Sequence, residues 1–354
     1  MIISRTPFRI SFFGGGTDYP GWYRKYGGSV LVTTIDKYCY LACRYYPPFF
    51  DHRFRISYIK SENCASVADI SHPAVRGVLQ YLNWDRGLEI HHVADLPARG
   101  GMGSSSSFTV GLLHALYGLK GQMRTKAQLT EESVHIEQEV LNETVGSQDQ
   151  TAAAYGGLNH VTFSTTGDIV VRPLTLATER MRQLESHLML FYTGIKRTAS
   201  DVAQSYVENI EEKRRHLEGL SELVGEAMAT LYSNHEISEF GRLLDQAWRI
   251  KRSFSGMVSN AHVDGIYDAA VTAGAMGGKI LGAGGGGFMV LFVPPDRQQQ
   301  VRDRLKDFIH VPFKFEGTGS QIIFYDPEQD FAFLDSDRNV RQVQEFRELD
   351  SLAP

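Results

Sequence analysis

Glycines followed by serines stand at residues 97–107, in the order Pro-Ala-Arg-Gly-Gly-Met-Gly-Ser-Ser-Ser-Ser. Glycines let a backbone approach a ligand closely, and serines that open a helix supply an N-cap and first-turn hydroxyls. Free N–H groups and the helix dipole at such an end attract phosphate. The Lys-Ser/Thr of a Walker A motif is missing, and a flexible Gly/Ser linker is the competing interpretation. Because an apolar helix follows directly, the pattern favours phosphate binding.

Two further segments have the same character. The first is a strand carrying Arg9 that runs into a glycine turn at 14–16, followed by Thr17 and Asp18. The second is a glycine run at 282–287 that leads into an apolar stretch. A dinucleotide-binding fingerprint needs a strand before its glycines and a helix opening on them, whereas here a strand is expected after them. An NAD(P)-dependent enzyme is therefore disfavoured.

Composition limits the class of protein. The 354 residues, 42% hydrophobic and 22% charged, are typical of a globular enzyme with room for two domains. A net charge of -5 disfavours a nucleic-acid binder. No apolar run approaches the ~18 residues that span a bilayer. Cys39, Cys43 and Cys64 fit no zinc pattern and indicate a reducing compartment. We therefore expect a cytoplasmic protein that binds neither nucleic acid nor membrane.

The elements that position these residues follow from periodicity. Apolar and β-branched runs predict strands at 10–13, 29–43, 53–59, 88–93, 158–163, 169–173, 187–192, 288–293 and 321–325. Helical spacing predicts helices at 104–119, 126–143, 263–273 and 296–308, and a helix-rich stretch at 199–254. The pattern indicates an α+β protein with domains at 1–182 and 183–335 and a polar tail at 336–354.

In order and spacing, the three glycine-containing segments resemble the signature motifs of the GHMP kinase family, and the resemblance covers residues 4–330. It implies the two-domain GHMP kinase fold. The N-terminal, ATP-binding domain would be like ribosomal protein S5 domain 2, and the C-terminal domain would be ferredoxin-like. It also implies ATP and Mg²⁺ as cofactors and a small-molecule sugar or sugar phosphate as acceptor.

The resemblance assigns roles to individual residues. Asp149 would take the acceptor proton, and Arg9 would stabilise charge on the transferred phosphate. Glu137 would bind Mg²⁺ with Ser105, for which Ser104 is the alternative. The nucleotide would be held by Gly100, Gly101, Gly103, Ser104, Ser105 and Ser106. The acceptor would be held by Gly15, Gly16, Thr17, Asp18, Arg197, Gly284 and Gly285.

Each role has a plainer alternative. Glu137 could be a solvated charge on a helix face, Asp149 a turn or cap residue, and Arg9 a surface arginine at a strand edge. Three further cations could clamp a phosphate on the acceptor or could simply be solvated. These are Lys196, Arg197 and Lys279.

Within the family, Gly15 and Gly16 stand where galactokinases have Glu-His, which implies a wider or differently decorated acceptor. The glycine turn, the four serines and the Gln-Asp-Gln stretch are most similar to kinases that phosphorylate the anomeric hydroxyl of D-glycero-D-manno-heptose 7-phosphate. Those enzymes make nucleotide-activated heptose for bacterial surface polysaccharides. Fucokinase-like domains share part of the pattern, and a non-catalytic nucleotide sensor on the same fold is the alternative from another class. The oligomeric state stays open, with a homodimer as one hypothesis.

Overall fold

The structure is a computed structural model that describes residues 1–195, 213–326 and 331. Lys196 and Arg197, two of the three cations expected near the acceptor, lie outside the described residues. The strands are β1 Ile2–Phe13, β2 Gly28–Tyr45, β3 Phe54–Ser57, β4 Ser61–Cys64, β5 Leu88–Ala94, β6 Asn159–Phe163, β7 Ile169–Pro173, β8 Leu188–Tyr192, β9 Gly277–Ile280, β10 Phe288–Phe292, β11 Ile309–His310, β12 Phe315–Glu316 and β13 Gln321–Tyr325. The α-helices are α1 Pro20–Tyr26, α2 Pro73–Tyr81, α3 Ser104–Leu119, α4 Lys126–His135, α5 Gln148–Tyr155, α6 Thr178–Ser186, α7 Arg214–Tyr232, α8 Ser238–Arg252, α9 Ala261–Thr272 and α10 Gln298–Arg304.

The first sheet has nine strands, with the path β13-β1-β2-β5-β3-β4 and with β6, β7 and β12 joined through β2. Strands β1 and β2 are antiparallel, with Arg9 opposite Thr34 and a register shift between Pro7 and Phe8. Helix α3 packs on both strands. Every residue of β1 from Thr6 onward is buried, because the sheet is covered on both faces there. This burial carries Arg9 into the interior rather than to a strand edge at the surface.

The second sheet has four antiparallel strands in the order β11-β8-β10-β9. Helix α8 packs on β9 and β10, and α7 packs on α8 as well as on β1 and β2 of the first sheet. The apolar residues of both sheets belong to one continuous core. The loop between β9 and β10 contains the glycine run 282–287, which faces the phosphate loop of the other domain.

Two strands late in the chain join the first sheet. The sequence predicts a second domain at 183–335, whereas β12 pairs with β2 and β13 pairs with β1. The chain therefore returns to the nine-stranded sheet after β11. Short strands can add to an existing sheet edge from far along the chain, and local sequence patterns carry no signal of which sheet they join.

Most predicted elements are confirmed, with shifted ends. Helix α3 has the predicted bounds. The helix predicted at 126–143 is shorter: α4 ends at His135 and a π-helical turn follows over Ile136–Val140. The helix predicted at 296–308 is a 3₁₀ turn followed by α10. In the part of the chain that the structure describes, no helix combines the length and apolar character needed to cross a bilayer.

Candidate active site

The phosphate loop is held between the two domains. The Arg9 N–H donates to the Met102 carbonyl at 3.1 Å, and the Phe288 N–H donates to the Gly100 carbonyl at 3.0 Å. Gly101 has φ +76°, and a Cβ there would lie 2.4 Å from the Leu281 carbonyl oxygen. Only glycine allows this backbone contact, so the loop and the glycine run of the C-terminal domain fix each other's shape.

Helix α3 begins directly at the serines. We expected a serine N-cap, but the cap residue is Gly103, with φ 74°, and it offers no side chain to the first turn. The Ser107 N–H donates to the Gly103 carbonyl at 2.9 Å, while the preceding amides of the first turn have no helical acceptor. The exposed Ser105 and half-buried Ser104 stand at this end. An uncapped helix start of this kind suits a phosphate group.

Arg9 and Asp149 form a two-point ion pair beside this loop. Arg9 Nε donates to Asp149 Oδ1 at 2.7 Å and Nη2 donates to Oδ2 at 2.6 Å. Arg9 Nη1 donates to the Gly101 carbonyl at 2.6 Å. The arginine side chain is 3% exposed and the aspartate 26%. The structure thus brings together two residues that are far apart in sequence, and leaves the carboxylate accessible from one side.

Glu137 lies on the π-helical turn and is fully buried. Its carboxylate accepts from Ser106 Oγ at 2.8 Å, Thr109 Oγ1 at 2.8 Å and Gln150 Nε2. These donors are neutral, and burial raises the pKa of Glu137 to about 7. A π turn inside a helix often marks a functional site. The alternative of a solvated charge on a helix face does not fit this burial.

The surroundings of Glu137 fit a divalent cation. The side chain of Gln150, which donates to Glu137 through Nε2, has a buried Oε1 with no hydrogen-bond partner, so an oxygen acceptor close to Glu137 is unsatisfied. Mg²⁺ binds through one or two protein oxygens and keeps water and phosphate oxygens. The serine that contacts Glu137 is Ser106, one residue after the expected Ser105.

The glycine turn at 14–16 is built by inward-facing side chains. Thr17 Oγ1 donates to the carbonyls of Gly14 and Ser29, at 2.8 and 3.0 Å. Asp18 is 1% exposed and accepts from the amides of Gly16 at 2.9 Å and Gln148 at 3.3 Å. Burial raises the pKa of Asp18 to about 6. Thr17 and Asp18 therefore shape the turn and join it to the start of α5.

The space beside Gly15 and Gly16, the two glycines expected to contact the acceptor, differs between them. Gly16 has φ +109°, and a Cβ there would lie 2.8 Å from Leu217 Cδ2 on α7. A Cβ on Gly15 would meet its nearest atoms, on Gln148 and Ser11, at an ordinary 3.6 Å. Helix α7 therefore occupies the room beside Gly16, whereas a Cβ on Gly15 would fit at ordinary contact distance.

The second glycine loop packs mainly on its own domain. The Gly285 N–H donates to the Val258 carbonyl at 2.8 Å, and Asn260 Nδ2 donates to the Gly285 carbonyl at 3.2 Å. A Cβ on Gly284 would lie 2.7 Å from the Val258 carbonyl oxygen. The close approach explains the glycine at 284, and a φ of +79° explains the glycine at 285. Any contact with an acceptor is left to the backbone of the loop.

Two buried lysines, Lys279 and Lys251, are further basic residues near the site. Lys279 Nζ donates to the Phe12 carbonyl at 2.9 Å and is 4% exposed, which excludes a solvated surface role. Lys251, at the end of α8, is 7% exposed and was missed by sequence reasoning. A signal was present, because Leu244, Ala247, Trp248 and Lys251 share one apolar stripe of the helix.

Comparison with known proteins agrees with this arrangement. The family model for the GHMP kinases N terminal domain matches residues 70–157, and the model for the GHMP kinases C terminal domain matches residues 226–310. A D-glycero-alpha-D-manno-heptose 7-phosphate kinase of Campylobacter jejuni is 29% identical over 316 residues, 86% of this chain and 93% of that protein. A bifunctional fucokinase/GDP-fucose pyrophosphorylase of Arabidopsis thaliana is 24% identical, over 85% of this chain but 31% of its own length.

Solved structures show the same fold. A D-glycero-D-manno-heptose 1-phosphate kinase from Bacteroides thetaiotaomicron superposes with a TM-score of 0.75 at 24% identity, covering 92% of this chain and all of the other. A galactokinase from Lactococcus lactis superposes with a TM-score of 0.68 at 17% identity, covering 91% and 94%. Both domain matches, their order and the two-domain architecture lead to one conclusion: the chain belongs to the GHMP kinase family.

Proposed function

We propose that the protein is an ATP- and Mg²⁺-dependent kinase that phosphorylates the anomeric hydroxyl of a sugar phosphate. The observation that carries the proposal is the Arg9–Asp149 pair, set against the backbone of the phosphate loop at Gly101. Phosphoryl transfer needs a positioned hydroxyl and neutralisation of charge on the moving group. A carboxylate beside an arginine, next to an uncapped helix start, supplies both.

Asp149 is the proposed base. Each carboxylate oxygen can accept more than one hydrogen bond, so the acceptor hydroxyl can approach Oδ2 while Arg9 stays bound. As the hydroxyl oxygen attacks the γ-phosphorus, its proton passes to Asp149 and the bond from γ-phosphorus to the bridging oxygen breaks, releasing ADP. Arg9 holds the carboxylate in place and stabilises charge on the transferred group.

The residues proposed to bind the nucleotide and the metal belong to the phosphate loop, the start of α3 and the π-helical turn. Backbone amides between Gly100 and Ser106 would bind the donor phosphates. Glu137, with Ser106 or the expected Ser105, would hold Mg²⁺, which neutralises charge on the phosphates. The Ser106–Glu137 contact favours Ser106, while the exposed Ser105 hydroxyl is free to turn towards the phosphates.

D-glycero-D-manno-heptose 7-phosphate is the proposed acceptor, converted to the 1,7-bisphosphate for nucleotide-activated heptose. The Campylobacter relative is named for this substrate, which supports the proposal. A phosphate at position 7 leaves the anomeric hydroxyl free to react. Arg197 is the residue proposed to bind that 7-phosphate. Free, buried cysteines fit a cytoplasmic location.

Two alternatives compete with this proposal. Fucokinase-like relatives favour a neutral sugar as acceptor. A non-catalytic nucleotide sensor would share the fold, but the preserved Arg9–Asp149 and Glu137 arrangements argue against it.

The test is a panel of acceptors with ATP and Mg²⁺, with the product identified by ³¹P NMR. We expect heptose 7-phosphate to have the highest kcat/KM, with the new phosphate on the anomeric carbon, because its remote phosphate contributes binding energy for positioning. Equal kcat/KM for free heptose or fucose would favour the neutral-sugar alternative. Nucleotide binding without transfer to any acceptor would favour the sensor.

A further inference from the structure

Lys251 is a buried cation with an incomplete set of partners. Its Nζ donates to the carbonyls of Gly282 and, at 3.3 Å, Ile280. An ammonium group has three N–H donors, so one is left over. Within residues 1–195 and 213–326, no carboxylate lies within ion-pair distance of it. Burying an unpaired charge is costly, so a lysine kept at an apolar-stripe position indicates an anion that arrives from outside.

When Lys251 and Lys279 are both charged, cations outnumber carboxylates around Lys251. Arg9 and Lys279 face it as further cations, and Asp18 and Asp149 as carboxylates. Asp149 is already paired with Arg9, and Asp18 accepts from backbone amides. Burial lowers the pKa of Lys251 to about 7, and that of Lys279 well below its usual range. A bound dianion would offset the excess and favour the charged form of both lysines.

The position of Lys251 indicates where that anion binds. A Cβ on Gly282 would lie 2.6 Å from the Gly101 Cα, so the two glycine loops touch at this point. Arg9 Nη1 donates to the carbonyl of Gly101, and Lys251 donates to the carbonyl of Gly282. The two cations thus approach one backbone contact from opposite domains, beside the loop that would carry the donor phosphates.

We propose that Lys251 is a phosphoryl-group ligand that the C-terminal domain supplies, complementing Arg9 from the N-terminal domain. The proposal rests on the proposed function and adds a residue to it. Lys251 transfers no proton in this role; its ammonium donates to a non-bridging phosphate oxygen while the acceptor oxygen bonds to phosphorus and ADP leaves. The anion is either the transferred phosphoryl group or the acceptor's own phosphate, which share this chemistry.

The first experiment measures binding of inorganic phosphate to the intact protein by calorimetry. Lys251→Met keeps the apolar stem and removes the charge, and Lys251→Arg restores a cation. Arg252→Met is the matched control, because Arg252 is the exposed neighbour on the same helix turn. We expect binding at least about tenfold weaker in Lys251→Met, from loss of a charge-assisted hydrogen bond. We expect wild-type binding in Arg252→Met and partial recovery in Lys251→Arg.

Thermal unfolding separates this role from a structural one. Removing an unpaired buried charge should leave the melting temperature unchanged or raised, whereas loss of a structural clamp would lower it. Phosphate binding no weaker in Lys251→Met than in the wild type would overturn the proposal. The proposal would also be overturned if Lys251→Met had a lowered melting temperature and Lys251→Arg failed to restore phosphate binding. Neither measurement needs an acceptor, so failure here is distinct from failure of the proposed function.

Kinetics then identify the source of the anion. Loss of kcat in Lys251→Met with both heptose 7-phosphate and free heptose assigns Lys251 to the transferred group. Loss of kcat/KM with heptose 7-phosphate alone assigns it to the acceptor phosphate. Unchanged kinetic constants with both acceptors would overturn a role in the reaction.

Discussion

Glu137 and Asp149 both lie close to the start of α3, but in opposite electrostatic surroundings. Asp149 is paired at two points with Arg9 and is partly open to solvent. Glu137 is fully buried among neutral hydroxyl and amide donors, and its pKa is raised to about 7. An aspartate that an arginine holds in place and that is open on one side can accept a hydrogen bond from an incoming hydroxyl. A buried glutamate without a cation suits a metal ion, so two carboxylates of similar chemistry acquire different roles from their surroundings.

The largest effect is expected at the paired carboxylate. Asp149→Asn removes the proposed base, and we expect kcat to fall by ~10²-fold or more while nucleotide affinity stays near that of the wild type. Steady-state kinetics and nucleotide titration measure the two quantities, and bound nucleotide shows that the variant is folded. Asp168→Asn, at an exposed turn between β6 and β7, is the control. A variant that retains most of its kcat would remove Asp149 from this role.

A smaller effect is expected on stability without metal. The folded-state pKa of Glu137, about 7, lies above its unfolded value, so its contribution is present at low pH and is lost as pH rises through 7. The wild type in EDTA should therefore lose stability between about pH 4.5 and pH 7, by on the order of 2–3 kcal/mol from this group. Glu137→Gln should flatten that part of the curve. Asp18, which shifts in the same direction, is common to both proteins.

Denaturant unfolding across this pH range measures the difference between wild type and Glu137→Gln. Glu139→Gln, an exposed neighbour on the same π turn, should follow the wild-type curve. Identical pH profiles for wild type and Glu137→Gln would show that the carboxylate is not held in the way described.

Local pattern predicted the bounds of α3 and the glycine loop that precedes it. It did not predict the Ser106–Glu137 contact, because the π turn at Ile136–Val140 changes the face on which Glu137 lies. A 3.6-residue period assumes a regular α-helix, so it gives no sign of a π-helical turn. The return of β12 and β13 to the first sheet was missed because strand pairing between distant segments depends on tertiary packing.

Lys251 shows a different kind of limit. The apolar stripe on α8 includes it, but a helix rich in charge pairs normally turns its lysines to solvent. Only the fold reveals that Lys251 ends beside Gly282 and that Gly282 touches Gly101. The same holds for Gly16, where the sequence implied a wider acceptor pocket and the structure fills that space with Leu217.

The central claim is that Glu137 holds the metal and Asp149 accepts the proton. It is tested most directly by measuring activity against Mg²⁺ concentration in Glu137→Gln and Asp149→Asn. We predict that Glu137→Gln raises the Mg²⁺ concentration needed for half-maximal activity by about tenfold, since loss of an outer or direct metal partner typically costs 10–100-fold in affinity. Ser106→Ala should also raise the Mg²⁺ concentration needed. Because Ser106 contacts Glu137, its effect should be larger than that of Ser105→Ala. Asp149→Asn should lower the plateau at an unchanged midpoint. An unchanged midpoint in Glu137→Gln would contradict the account.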